Sequence, residues 1–172
     1  MNLYFLRHGI AVDRDPKSFP DDSRRPLTLK GEDRIRLICG AIQRLDISFD
    51  YILSSPFLRT RQTTDIVASE MNLRNALVFC DELKPGGEMK SLLRRISQLS
   101  PKPENVLLVG HQPDLSQIIS MMISGSNDTL IDLKKGGFAK LEVDQSLRPT
   151  RCATLAWSLT PKQMTLMAKG NP

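Results

Sequence analysis

The sequence predicts a single-domain α/β protein in which a mostly parallel sheet lies between two layers of helices. Three observations support this prediction. Short apolar runs alternate with segments of helical periodicity, each run ends in polar residues or glycine, and the 172 residues show no linker-like change in composition. A hydrophobic content of 40% with 25% charged residues is typical of a protein with a substantial core. We therefore expect one domain over residues 1–172, with a tail over about 161–172.

Three short apolar runs predict buried parallel strands, because strands covered on both faces read as continuous hydrophobic segments. These runs are residues 3–6, 51–53 and 105–109. Two later segments, 138–143 and 152–159, also have strand character but no helical segment between them. We therefore expect the sheet to end in an antiparallel pair of strands.

Apolar residues at spacings of three and four predict four helices. They are expected at about residues 28–45, 56–71, 89–99 and 115–122. Proline at position 56 suits a helix start, because the first turn of a helix does not need the backbone N–H that proline lacks. Each apolar stripe is interpreted as core rather than as a ligand-binding surface.

Composition narrows the class of function. The chain carries 24 Lys and Arg against 19 Asp and Glu, a formal charge of +5 that suits an anionic partner. Aromatic residues make up only 5% and do not interleave with basic runs, so no nucleic-acid partner is expected. Three widely spaced cysteines without a C-x-x-C pair indicate neither a disulfide framework nor a zinc site. Without a signal-like leader or a membrane-length apolar run, we expect a cytoplasmic protein that does not bind membranes.

The first predicted strand ends at Arg7-His8-Gly9, where a cation and an imidazole stand side by side. An imidazole with an ordinary pKa of about 6.5 is a good nucleophile near neutral pH, and nearby cations favour its neutral form. Such a ring can accept a phosphoryl group and pass it to water. His8 is therefore the candidate nucleophile, although this motif taken alone also fits a structural histidine at a strand end.

The next two strand ends add an arginine and the second histidine. Arg59 lies near the start of the helix after the second strand, where backbone N–H groups and the helix dipole hold anions. Its guanidinium can grip an anion with two hydrogen bonds, which lysine cannot do. Arg61 is better explained as a residue on a solvated helix face. His111 follows the strand at 105–109, and we expect it to donate a hydrogen bond to a phosphoryl oxygen.

In type and order these motifs resemble those of the histidine phosphatase superfamily, and more closely those of its phosphohistidine phosphatase branch, the SixA type. The resemblance rests on R-H-G at 7–9, R-P-L-T at 25–28, S-S-P-x-x-R-x-x-Q-T at 54–63, E-L-K-P-G-G at 82–87, G-H-Q-P at 110–113 and K-G-G at 135–137. It covers the chain from residue 3 to about residue 160.

The resemblance implies that His8 is the phosphorylated nucleophile and that Arg7, Arg59 and His111 bind the phosphoryl group. It implies a hydrolase that removes phosphate from a protein-borne phosphohistidine, with a histidine-phosphotransfer domain as one candidate partner. Two cations and two imidazoles can form such a cage without a metal ion, and the sequence offers no dense carboxylate cluster for Mg²⁺. We therefore expect no metal and no cofactor.

The sequence departs from the superfamily pattern at the proton donor. Mutase-like members carry an acidic residue shortly after the third strand, where this chain has Pro85. Glu82 is the nearest candidate for the general acid, and Asp13 and Asp81 are weaker candidates. A missing acid favours cleavage of a P–N bond, because an imidazole protonated on its other nitrogen leaves as a neutral ring.

The segment between Glu82 and His111 is largely used by one helix and one strand, so no cap subdomain is expected. An uncapped site at a sheet edge can admit a phosphohistidine displayed on another protein. Two other functions stay open. One is a broad or small-molecule phosphomonoesterase with the same nucleophile, and the other is a phospho-ligand binding module without catalysis. Intact His8 and His111 argue against the binding module, because cations and backbone amides alone suffice to bind phosphate.

Overall fold

The computed structural model describes residues 1–128, 131–144 and 146–170, and within them the predicted α/β sandwich is confirmed. One sheet contains the strands β1 (Asn2–Arg7), β2 (Tyr51–Ser54), β3 (Leu77–Phe79), β4 (Asn105–Gly110), β5 (Phe138–Val143) and β6 (Ala153–Leu159). Their order across the sheet is β3-β2-β4-β1-β5-β6. The first four strands are parallel, whereas β5 is antiparallel to both β1 and β6. The predicted antiparallel ending of the sheet is therefore confirmed.

Helices cover both faces of the sheet. They are α1 (Leu29–Arg44), α2 (Leu58–Glu70) and α5 (Pro161–Lys169) on one face, and α3 (Met89–Ser97) and α4 (Asp114–Ser124) on the other. Alternate side chains of β1 enter two separate cores, since Leu3 and Phe5 pack with α3 and α4, whereas Tyr4 and Leu6 pack with α1 and α2. This double burial explains why the strand reads as a continuous apolar run.

The four predicted helices form close to their expected positions. The side chain of Thr28 caps α1 by accepting a hydrogen bond from the backbone N–H of Gly31 at 3.0 Å. Helix α2 begins at Leu58, two residues after the proline that was expected to open it. Residues 80–88, between β3 and α3, contain only a short 3-10 turn and a loop, so no subdomain is inserted above this end of the sheet.

Two elements were not delimited from the sequence. Strand β3 is a three-residue edge strand with half-buried or exposed side chains, so it shows no continuous apolar run. Helix α5 occupies most of the predicted tail: Thr160 and Gln163 form a capping box, Pro161 takes the first helical position, and Met164 is fully buried. The T-P-x-Q pattern is a known helix-start signal that the interpretation as a tail overlooked. Residues 171 and 172 lie outside the described residues.

Candidate functional site

Three neighbouring strands, β2, β4 and β1, end side by side and bring the residues that follow them together. The backbone N–H of His8 donates to the carbonyl oxygen of Gly110 at 3.1 Å, and that of Ser55 donates to the carbonyl of Val109 at 3.1 Å. As a result, the rings of His8 and His111 lie with their centroids 5.3 Å apart. The two histidines of the chain therefore share one site at the carboxyl ends of the strands, where α/β sheets bind ligands.

His8 is a buried histidine that is held in one tautomer. Its side chain is 6% exposed, and its Nδ1 lies 2.8 Å from the carbonyl oxygen of Gly9. Because a carbonyl oxygen only accepts hydrogen bonds, Nδ1 carries the proton and Nε2 keeps its lone pair. Burial, together with the positive charges of Arg59 and Arg7, lowers the pKa of His8 to about 3. The ring is therefore neutral near pH 7, with Nε2 as a nucleophilic nitrogen.

Gly9 allows close packing behind His8. Its backbone N–H donates to the hydroxyl oxygen of Thr63 in α2 at 3.0 Å. A β-carbon at this position would lie 3.0 Å from a side-chain carbon of Ile35 and 3.3 Å from the carbonyl oxygen of Gly31, both in α1. The R-H-G motif is thus explained by the approach of two helices to the end of β1.

His111 is oriented by the hydroxyl group of Ser55. The Nε2 atom of His111 lies 2.9 Å from Ser55 Oγ, which also accepts a hydrogen bond from the backbone N–H of Phe57 at 3.3 Å. A serine hydroxyl both donates and accepts, and when Ser55 Oγ–H donates to His111 Nε2, the ring proton lies on Nδ1. Burial and the charge of Arg59 lower the pKa of His111 to about 3. His111 is therefore a neutral ring, and in this tautomer its Nδ1 is an N–H donor.

Arg59 is a buried cation whose orientation is set by a residue that the sequence analysis did not identify. Its side chain is ion-paired with Asp22, with Nη2 3.0 Å from Oδ2, and its Nη1 donates to the backbone carbonyl of Asp22 at 2.9 Å. Asp22 also accepts from Arg25 Nε at 2.8 Å. Burial raises the pKa of Asp22, but the hydrogen bond from Arg25 and the charge of Arg59 outweigh it, and the net pKa is lowered. Asp22 therefore stays ionised and orients Arg59.

Three of the nitrogen atoms around His8 are buried without a hydrogen-bond partner among the described residues. They are Nε of Arg7, Nε of Arg59 and Nδ1 of His111. Arg7 uses another nitrogen, Nη1, to donate to the carbonyl of Leu133 at 3.0 Å. Buried N–H groups are nearly always paired in folded proteins. An anion with several acceptor oxygens is the kind of ligand that pairs with such donors, and a phosphoryl group is such an anion.

Glu82, the candidate proton donor, forms an ion pair with helix α3. Its Oε1 accepts a hydrogen bond from Arg95 Nε at 3.0 Å, and its Oε2 is buried with no hydrogen-bond partner among the described residues. The weaker candidate Asp81 is exposed and pairs with Lys84 at 2.8 Å. By contrast, the ionised carboxylate of Asp22 forms an ion pair with Arg59, which is one of the candidate site residues. The role of Glu82 stays a prediction.

We expect the hydroxyl of Ser55 to contribute to turnover through the orientation of His111. In Ser55→Ala, Nε2 of His111 loses its partner, so that the ring can turn or change tautomer, and kcat should fall about tenfold with little change in KM. Ser54→Ala is the matched control, because Ser54 is also buried but bonds to Thr64 and to the carbonyl of Ser55. Steady-state kinetics of both variants measure the effect. An equal loss of kcat in the two variants contradicts this role of Ser55.

The lowered pKa values of His8 and His111 predict that the protein loses stability as the pH falls. Unfolding restores an ordinary pKa of about 6.5, so below that pH the unfolded chain binds protons that the folded chain does not. The contribution of the neutral rings is complete above about pH 6.5 and reaches a loss of about 2 kcal/mol per histidine near pH 5. Denaturant unfolding at several pH values should therefore show a smaller pH dependence in His8→Asn/His111→Asn than in the wild type. The same slope in both proteins contradicts the prediction.

Among residues 1–128, 131–144 and 146–170, no three His, Cys, Asp or Glu side chains are grouped closely enough to hold a metal ion. None of the helices found there has the length and apolar character needed to cross a membrane.

Comparisons with known proteins agree with this geometry. A model of the histidine phosphatase superfamily (branch 1) matches residues 3–84. An uncharacterized protein of Picosynechococcus sp. is 39% identical over 142 residues, which cover 82% of this chain and 84% of that protein. Phosphohistidine phosphatase SixA of Escherichia coli is 27% identical over 162 residues, which cover 94% of both proteins. A solved structure of the protein histidine phosphatase SixA with tungstate superimposes with a TM-score of 0.78 at 26% identity, covering 94% of this chain and 98% of that chain.

Proposed function

The chain belongs to the histidine phosphatase superfamily and is a phosphatase, and from this premise we propose that it hydrolyses a phosphohistidine carried by another protein, with His8 as the nucleophile. The observation that carries the proposal is the neutral imidazole of His8, which lies beside the ring of His111 at a centroid distance of 5.3 Å and within the positive charge of Arg59 and Arg7. Similarity to the phosphohistidine phosphatase SixA supports the choice of substrate.

In the first step of the proposed reaction, Nε2 of His8 attacks the phosphorus atom. A P–N bond to His8 forms, the P–N bond of the substrate breaks, and its electron pair returns to the substrate imidazole. A substrate ring that carries a proton on its other nitrogen leaves as a neutral imidazole, so this step needs no strong general acid. This fits a site in which the ionised Asp22 is held by two arginines and Glu82 pairs with Arg95.

In the second step, water attacks phosphorus and releases His8. The proton on Nδ1, held by the carbonyl of Gly9 at 2.8 Å, allows the ring of His8 to leave as a neutral imidazole. The water gives up its protons to the departing phosphate and to solvent. Both steps therefore use the same tautomer of His8, and the contact with Gly9 maintains that tautomer throughout.

The proposed stabilisation of charge comes from protein groups alone. The guanidinium groups of Arg7 and Arg59 and the Nδ1–H of His111 would donate to the equatorial oxygens of the phosphoryl group as it is transferred. Arginine remains charged even where burial lowers its pKa, as it does for Arg7 and Arg59. We therefore propose a metal-independent reaction without a cofactor.

The absence of a cap supports a protein as the carrier of the phosphohistidine. Residues 80–88 add only a turn and a loop between β3 and α3, so the strand ends are not enclosed from that side. A histidine-phosphotransfer domain is one candidate carrier.

A comparison of leaving groups tests the proposal. The protein should hydrolyse a phosphohistidine peptide with a kcat/KM at least about 100-fold higher than that for the same peptide with phosphoserine, or for p-nitrophenyl phosphate. Phosphate release from the three substrates is measured under identical conditions. Faster hydrolysis of the phosphate monoesters would falsify the proposed substrate class and favour a broad phosphomonoesterase.

A further inference from the structure

A groove rich in lysine and arginine runs from the site across the surface of α1 and α5. Two adjoining cavities of about 710 Å³ and about 700 Å³ form this basic groove, and they share Arg34, Pro161 and Lys162. The first cavity is also lined by Arg7, and the second extends to Lys169. Because Arg7 lines the groove and directly precedes His8 at the end of β1, the groove begins beside the site.

Positive charge dominates the lining of the basic groove. Its cations other than Arg7 are Lys30, Arg34, Lys134, Lys135, Lys162 and Lys169. Among the described residues, Asp33 is the only carboxylate in the lining, and it already pairs with Arg36 at 3.2 Å. Lys134 pairs with Asp132, whereas no described carboxylate pairs with Arg34, Lys135 or Lys162. The groove therefore retains a surplus of positive charge that a negatively charged partner can neutralise.

The loop that carries Lys134 and Lys135 is fixed to the end of β1. Gly136, with a φ of +80°, donates its N–H to the carbonyl of Arg7 at 3.0 Å, and Arg7 N donates to the carbonyl of Gly137 at 3.1 Å. The charge of Lys135 also acts on His8. The loop of the groove is thus hydrogen-bonded to the strand that precedes His8, which suits a partner that occupies both the groove and the site.

The residues that line the basic groove favour an acidic protein segment over a nucleic acid as the bound polyanion. No described residue of the lining is aromatic, so the groove offers no platform on which nucleic-acid bases could stack. Apolar side chains lie between the cations instead, among them Leu37 and Leu166, of which Leu166 is 60% exposed. Cations interleaved with aliphatic groups match a protein surface that carries both acidic and apolar side chains.

We propose that the basic groove binds an acidic segment of the phosphoprotein substrate, next to the phosphohistidine that enters the site at His8. The proposal rests on the proposed function and adds a requirement about the carrier protein, namely that Asp and Glu flank its phosphohistidine. The groove contributes to binding and to the rate of encounter, and the chemical steps stay with His8.

Charge reversal at matched helix positions tests the groove. Lys30 and Lys162 are each the second residue of a helix, as is Lys90 in α3 outside the groove, and a glutamate is well tolerated at a helix start. The test variant is Lys30→Glu/Lys162→Glu, and the control is Lys90→Glu/Lys102→Glu, in which Lys102 supplies a second exposed lysine, from the loop before β4 and outside the groove. The substrates are free phosphohistidine and two phosphohistidine peptides of equal length, one with glutamates and one with glutamines beside the phosphohistidine.

The wild type and the control should have a KM about tenfold lower for the glutamate peptide than for the glutamine peptide at low salt. The groove variant should lose this preference and keep its kcat and its turnover of free phosphohistidine. If the wild type hydrolyses free phosphohistidine but has the same KM for the two peptides, the groove proposal is overturned and the proposed function is not. An equal loss of preference in the control overturns it as well.

Binding of the unphosphorylated glutamate peptide, labelled with fluorescein and followed by anisotropy, provides a readout that does not depend on turnover. The groove variant should bind it about tenfold more weakly than the control. Equal binding of the peptide by the two variants overturns the groove proposal, whether or not phosphohistidine is hydrolysed. A lack of phosphohistidine hydrolysis overturns the proposed function. Displacement of the peptide by a single-stranded oligonucleotide of equal charge at lower concentration assigns the groove to nucleic acid and also overturns the proposal.

Discussion

His8→Ala is expected to lower kcat by about 10⁴-fold or more, because the variant lacks the atom that forms the covalent intermediate. No other side chain can replace it. The second imidazole, His111, has its Nε2 engaged in a hydrogen bond with Ser55 Oγ. His8→Asn provides a second variant of similar size whose amide can still donate to the carbonyl of Gly9, so a loss of activity in both variants is not a packing effect.

Trapping of the intermediate identifies the nucleophile directly. Wild-type protein mixed with a ³²P-phosphohistidine protein should acquire a label that is labile in acid and stable in base, located on His8. His8→Ala should acquire none. His111→Asn is the matched control, since it should still be labelled on His8 but more slowly because one donor to the phosphoryl group is lost. Unchanged turnover in His8→Ala, or a label on His111, contradicts the mechanism.

The position of the two histidines was predictable because each follows a buried strand. Continuous apolar runs located β1 and β4, and parallel neighbours in a sheet end at the same edge. The same argument placed Arg59 at the start of α2. These inferences need only local patterns along the chain and one general rule of α/β sheets.

Other features of the site depend on contacts that local patterns do not encode. The ion pair of Arg59 with Asp22 joins residues 37 positions apart, and Asp22 begins a three-residue 3-10 helix that has no buried residue and therefore no apolar pattern. The tautomer of His111 depends on a serine 56 positions away. Strand β3 is too short and too exposed to give a pattern. Sequence periodicity therefore locates the groups that react, whereas the groups that orient them follow from tertiary structure.

Arg59→Lys is expected to lower kcat/KM by about 10²- to 10³-fold although the positive charge is kept. In the wild type, the two terminal nitrogens of Arg59 bond to the carboxylate and the backbone carbonyl of Asp22, while Nε has no hydrogen-bond partner among the described residues. The single ammonium of lysine cannot occupy both places. The ammonium either pairs with Asp22 and does not contact the substrate, or contacts the substrate without the ion pair that orients it.

Arg61→Lys is the control for this variant, because Arg61 lies two residues further along α2, is exposed, and stacks over the ring of Phe79 at 4.9 Å. Its kinetics should stay within about twofold of the wild type, since surface substitutions away from a site have small effects. The kcat/KM of Asp22→Asn should lie between those of Arg59→Lys and Arg61→Lys. The hydrogen bond from Arg59 to the backbone carbonyl of residue 22 remains, but a neutral side-chain amide binds the guanidinium less strongly than a carboxylate does. Wild-type kinetics in Arg59→Lys would show that only charge is needed at this position. The order of the three variants therefore distinguishes a preoriented guanidinium from a simple positive field around the phosphoryl group.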